Sequence, residues 1–183
     1  MSGEESRSLG AHLLDTYINT FASQKKLGDK AISQLDEAGL FWSPEPNSNS
    51  IAVIVKHVSG NMVSRWTDFL TSDGEKPSRN RDDEFADDLT DQSQVLQTWE
   101  AGWSVLLATL ATLTPDDLQR TVTIRGEPHT VIEAINRQVS HYGYHVGQIV
   151  YAAKAYRASE WSTLSIARNQ SAAFNERLRR SHK

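Results

Sequence analysis

The stretch Val131-Ile-Glu-Ala-Ile-Asn-Arg-Gln-Val-Ser140-His-Tyr-Gly-Tyr-His-Val-Gly-Gln-Ile-Val150 decides the fold. Within it Val131, Ile132, Ile135, Val139, Tyr142, Val146, Ile149 and Val150 recur at three- and four-residue spacings, the period of an amphipathic helix. Thr130 precedes the run where a cap belongs, and the pattern predicts a helix from about Val131 to Ala155. His141 and His145 stand one turn apart on it, which projects both imidazoles from one side with Cβ atoms about 5–6 Å apart. Neutral imidazole is the commonest side-chain ligand for divalent transition metals, so this pair can fill two corners of one site.

Three further segments carry the same period. The first runs from about Leu9 to Ala38 and is expected to close at Gly39. Two prolines and a string of turn formers then make a loop of residues 42–50, ending in Ser48 or Ser50 as the next helix cap. The second helix is expected from about Ile51 to Thr71, with Ile51, Ile54, Val55, Val58, Met62, Trp66 and Phe69 facing a core. It carries His57, the natural candidate for a third corner. The third, from about Asp91 to Leu113, places Val95, Trp99, Trp103, Leu106, Leu107 and Leu110 on one side, and the two tryptophans read as core anchors.

Between these elements lie smaller features. Thr114 and Pro115 open a short helical turn, and residues 121–130 alternate around a glycine, which predicts a two-stranded hairpin before the fourth helix. A short fifth helix is expected from Ser171 to Arg179. Four striped helices make an all-α four-helix bundle of one domain over residues 1–183. The polar segment 72–90 is unusually long for a connection inside such a domain. It is long enough to return along the bundle and leave the second and third helices parallel, which is the favoured topology. The alternative is an antiparallel hairpin with a decorated loop.

At about 100° per residue, His145 lies roughly 90° and His141 roughly 130° from the apolar centre of their helix. His57 is displaced in the same way from its own stripe, so all three sit on the shoulders of their helices, where ligands lining a cleft would stand. Tyr144 is read as pointing away from the histidines, toward a dimer surface. Gly143 and Gly147 are read as room for another helix, and His129 as a turn residue. His12 and His182 have no supporting context.

Composition bounds the function. The chain has 183 residues, a formal net charge of −4 and no cysteine. The acidic balance argues against nucleic acid, and without thiolates any metal must be held by nitrogen and oxygen. The Met1–Ser6 stretch is polar and acidic, unlike a secretory signal, and no apolar run could span a membrane, so a cytoplasmic protein is expected. Arg177, Arg179, Arg180 and Lys183 read as a solvated helix end.

Val55-Lys-His-Val-Ser-Gly-Asn-Met62 together with His141-Tyr-Gly-Tyr-His-Val-Gly-Gln148 resembles the DinB/YfiT-like superfamily of metal-dependent bacterial proteins. Ser64-Arg-Trp66, Asp73-Gly-Glu-Lys76, Arg79-Asn-Arg-Asp82, Ile124-Arg-Gly-Glu127, Trp161-Ser-Thr-Leu-Ser-Ile166 and Phe174-Asn175 resemble one subgroup of it, of unassigned function. The resemblance implies an up-down-down-up bundle, homodimers, and a three-histidine site for nickel or zinc. Carried over by position, the ligands are His57, His141 and His145. Some members of the superfamily transfer thiols such as bacillithiol, mycothiol or glutathione.

The expectation for function is therefore a metal-dependent enzyme. Three histidines leave coordination positions for water or substrate, and a thiol nucleophile would have to come from a co-substrate. Thiol transfer and hydrolysis are the reactions expected, on a small-molecule substrate. Asn61, Arg65 and Gln148 fall near the ligands in helical projection and are candidates to orient them or the substrate. The alternative is a non-catalytic metal-binding or small-molecule-binding protein of a stress response.

Overall fold

Four long helices form where the periodicity places them: α1 (Leu9–Ile32), α3 (Ile51–Trp66), α4 (Gln92–Thr112) and α5 (Val131–Arg157). A one-turn α2 (Glu37–Phe41), a hairpin of β1 (Thr121–Ile124) and β2 (Glu127–Thr130), and a terminal α6 (Ser171–Ser181) complete the chain. This computed structural model describes residues 8–181, so the readings of Met1–Ser6, His182 and Lys183 fall outside the described residues.

Helix direction follows from which residues meet. Tyr17 Oη donates to Asn136 Oδ1 at 3.1 Å and Gln24 Nε2 to the Val139 carbonyl at 3.1 Å, so α1 and α5 run parallel. Ser59 Oγ donates to the Thr98 carbonyl at 2.7 Å and Thr109 Oγ1 to the Trp66 carbonyl at 2.9 Å, so α3 and α4 also run parallel. Lys25 meets Glu100 at 2.8 Å and Trp99 Nε1 donates to Asp29 at 2.7 Å, which sets α1 against α4. The bundle is up-down-down-up, and the crossover connection is the one present. A methyl group on Gly102 would lie 2.8 Å from Ser59 Cα, so glycine there permits the close approach of α3 and α4. The stripes meet in one apolar cluster in which Phe21, Val55, Val58, Met62, Trp103, Leu106, Ile135, Tyr142 and Ile149 are fully enclosed.

Some boundaries differ from expectation. The first helix stops at Ile32, not Ala38, and Gly39 is buried inside α2 instead of closing α1. Asp36 is the cause: its carboxylate accepts from Gly39 N at 2.9 Å and from Tyr156 Oη at 2.9 Å, capping a new turn. The second helix ends at Trp66, short of Thr71, because Asp68 enters the left-handed region at φ 48° and its carbonyl closes a turn onto Thr71 and Ser72. Ser50, not Ser48, caps α3, accepting from Val53 N at 3.2 Å. His129 lies in β2, paired with Val122, and is not a turn residue. Trp99 and Trp103 are core anchors, packed edge to face 5.4 Å apart. No residue of α6 is buried, and Arg179 and Arg180 pair with Glu176 within it.

Residues 72–90 retrace α3 in reverse. Ser64 Oγ donates to the Gly74 carbonyl at 2.8 Å, and further on Lys56 Nζ reaches the Asp83 carbonyl at 2.5 Å. The hairpin clamps the start of this return. Its turn, Arg125 and Gly126, takes φ 57° and 76°, a conformation glycine adopts freely and arginine seldom. Asp73 holds it there, accepting from Arg125 N at 2.9 Å and Gly126 N at 2.8 Å, and the bond from Gly126 is the first cause of its strongly depressed pKa.

Candidate metal centre

α5 presents its histidines from a fixed frame. A capping box starts the helix, with Glu133 N donating to Thr130 Oγ1 at 3.2 Å and Thr130 N to Glu133 Oε2 at 2.7 Å. Tyr142, between the two histidines, is wholly buried and sets the register against α3. Its hydroxyl donates to Asn61 Oδ1 at 2.9 Å and accepts from Trp66 Nε1 at 3.1 Å.

That register brings His57, His141 and His145 together. One ring nitrogen of each lies within 4.8 Å of the other two, an arrangement that can hold a divalent metal ion. His57 Nε2 stands 3.4 Å from His141 Nε2. His57 is buried, and the other two are half-buried at the wall of a cleft of about 400 Å³.

The hydrogen bonds choose tautomers. Glu84 Oε2 lies 2.9 Å from His57 Nδ1, and a carboxylate can only accept, so Nδ1 carries a proton, and in the neutral ring that leaves the lone pair on Nε2. Gln148 Oε1 accepts from His145 Nδ1 at 2.7 Å, and His145 Nε2 is left buried without a partner among the described residues. Burial pushes His141 down to about 3, helped by His145 and His57 beside it. Burial likewise brings His145 down to about 4, against the opposing bond to Gln148. Neutral imidazoles with free ring nitrogens suit a cation that competes with protons.

Glu84 is the residue that sequence reasoning missed. It belongs to a single 3-10 turn, Asp83–Phe85, on the returning loop. Burial alone would raise its pKa. The bonds from His57 and Arg79 and the guanidinium charge outweigh burial, so the net shift is downward. Arg79 grips it with both prongs, Nε to Oε1 at 2.7 Å and Nη2 to Oε2 at 2.8 Å. Gly60 makes the space, since a methyl there would fall 2.9 Å from Glu84 Cδ. Phe85 stacks on the His57 ring at 4.7 Å. Nothing in local periodicity marks Glu84. The only signal was a charged loop too long for a simple connection.

The candidate supporting residues take different places. Gln148 bonds a histidine directly. Asn61 bonds Tyr142 and lines the cleft. Arg65, buried, donates to Glu75 Oε2 at 2.9 Å and to the Gly74 carbonyl, tying the loop to α3. Tyr144 does not point away. Its ring lies 4.3 Å from His145 and 5.3 Å from His141, and it lines the same cleft. It stands three residues after His141, a spacing that shares a helix face. A methyl added at Gly147 would meet nothing within 4 Å among the described residues, and one at Gly143 would meet only Gln24 of α1.

A helical bundle that gathers three histidines able to hold a divalent metal defines the general class of this molecule. The chain belongs to the family described as Protein of unknown function (DUF1572), which it matches over residues 8–170. No curated protein matches it. No helix among the described residues is long and apolar enough to cross a membrane.

Proposed function

We propose that this protein is a metal-dependent enzyme related to the DinB/YfiT-like bundles, with His57, His141 and His145 as ligands of nickel or zinc. The observation that carries the reading is the pair of tautomer-fixing bonds, Glu84 to His57 and Gln148 to His145. A carboxylate behind a histidine is the usual support of a metal ligand, orienting the ring and raising its basicity. The 3.4 Å between His57 and His141 supports it further. Nitrogens about 2.0–2.1 Å from a tetrahedral ion stand about that far apart.

A divalent ion so held supplies a Lewis acid that lets a thiol or water lose its proton near neutral pH. The protein's own part is to keep His141 and His145 neutral, aim all three imidazoles, and enclose the substrate in the adjoining cleft. With no cysteine in the chain, a thiol nucleophile belongs to the co-substrate. Thiol transfer and metal-assisted hydrolysis are the reactions proposed.

The test is elemental analysis of the purified protein with a screen for thiol conjugation and hydrolysis on metal-replete samples. Near-stoichiometric metal and a turnover lost in His57→Ala are expected. Equal metal content in wild type and His57→Ala would end the reading.

A further inference from the structure

Five arginines, and neither a lysine nor a carboxylate, line the cleft beside the histidines: Arg65, Arg79, Arg81, Arg125 and Arg137. Two carboxylates stand behind them. Glu84 takes Arg79, and Glu75 is shared by Arg65, Arg79 and Arg125 at 2.9–3.2 Å. Five guanidiniums against two carboxylates leave a positive surplus, in a chain whose formal net charge is −4. Arg81 and Arg137 meet no carboxylate among the described residues. Gathering like charges in one concavity costs electrostatic energy that an incoming anion relieves.

Three placements give that surplus a direction. Arg81 lies over the Phe85 ring, 5.4 Å from its centre, and Phe85 is itself stacked on His57, so this guanidinium is held at the mouth beside the histidines. Arg137 stands on α5 one helical turn before His141 and lines the same cleft, as does Tyr144 three residues after that histidine. Deeper in the wall, Arg65 is buried, its Nε–H without a partner among the described residues. Its Nη1 is held by Glu75 and the Gly74 carbonyl, so Arg65 adds fixed positive charge behind the cleft.

We propose that the molecule received here is a small anion, bearing a carboxylate or phosphate group that Arg81 and Arg137 bind while its other end faces the three histidines. This names the substrate class of the site and rests on the reading of the histidines as its reacting end. The cleft, about 400 Å³, is of small-molecule size.

Calorimetry on the full chain with inorganic phosphate, succinate and uncharged succinamide tests it, with metal content measured on each sample. At least one oxyanion is expected to bind, succinamide is not, and the tighter of the two oxyanions identifies the group. Arg81→Gln and Arg137→Gln are each expected to weaken binding about tenfold at unchanged metal content. Both side chains are exposed, so the core is untouched. Oxyanions that bind no better than succinamide, or equally well to the variants, overturn the proposal. Arginine-dependent binding by a protein that takes up no metal would leave the anion site standing and remove the metal centre instead.

Discussion

The two sides of α3 are both buried, and they are built on opposite principles. Val55, Val58 and Met62 are closed off by apolar neighbours, and each is 0% exposed. His57, Asn61 and Arg65 follow one another at four-residue intervals and are 5%, 6% and 4% exposed, yet every one of them is polar. The first side needs only shape and volume. The second needs named partners: Glu84 for His57, Tyr142 for Asn61, Glu75 for Arg65. Burial on the apolar side stabilises the bundle directly. Burial on the polar side is offset by desolvation and is retained where it positions something.

Three substitutions bear on this contrast. The largest effect is expected from Trp66→Ala, which opens a cavity against Phe21 and Phe69 and removes the N–H that the Tyr142 hydroxyl accepts from. It should cost about 3–5 kcal/mol in denaturant unfolding, and a loss under about 1 kcal/mol would contradict the packing described. Next is Glu84→Gln, nearly the same shape with the charge removed. Metal affinity measured by chelator competition should fall about 10–100-fold. An unchanged affinity would show that the carboxylate merely fills space. The smallest is Met62→Leu, expected to cost less than about 1.5 kcal/mol with metal content unaltered. A loss of metal there would mean that the two sides are not independent.

The same contrast explains how far the sequence could be read. The long helices, their core stripes and the crossover were legible because burial on one face writes a 3.6-residue period over many consecutive turns. The three histidines were legible because two share a turn of one helix and the third stands on the shoulder of another helix's apolar stripe. Glu84 and Arg79 were not. They meet through complementary charge across a loop that has no period, five residues apart in sequence and 27 and 22 from His57 respectively. Tyr144 was placed on the wrong side although the wheel already put it beside His141. The break after Ile32 was hidden because a locally capped turn at Asp36 competes with helix continuation, and its other partner, Tyr156, lies 120 residues away.

The parallel run of α3 and α4 has a consequence for architecture. Two neighbouring helices pointing the same way oblige the connecting chain to travel home before the next can begin. That homeward journey is laid along the flank where His57 would otherwise meet solvent. A short hairpin would have joined the helices with less polypeptide and left the chamber without a roof. Shortening this connection for the sake of compactness would therefore remove the carboxylate and guanidinium that furnish the chamber, while the bundle beneath stayed upright.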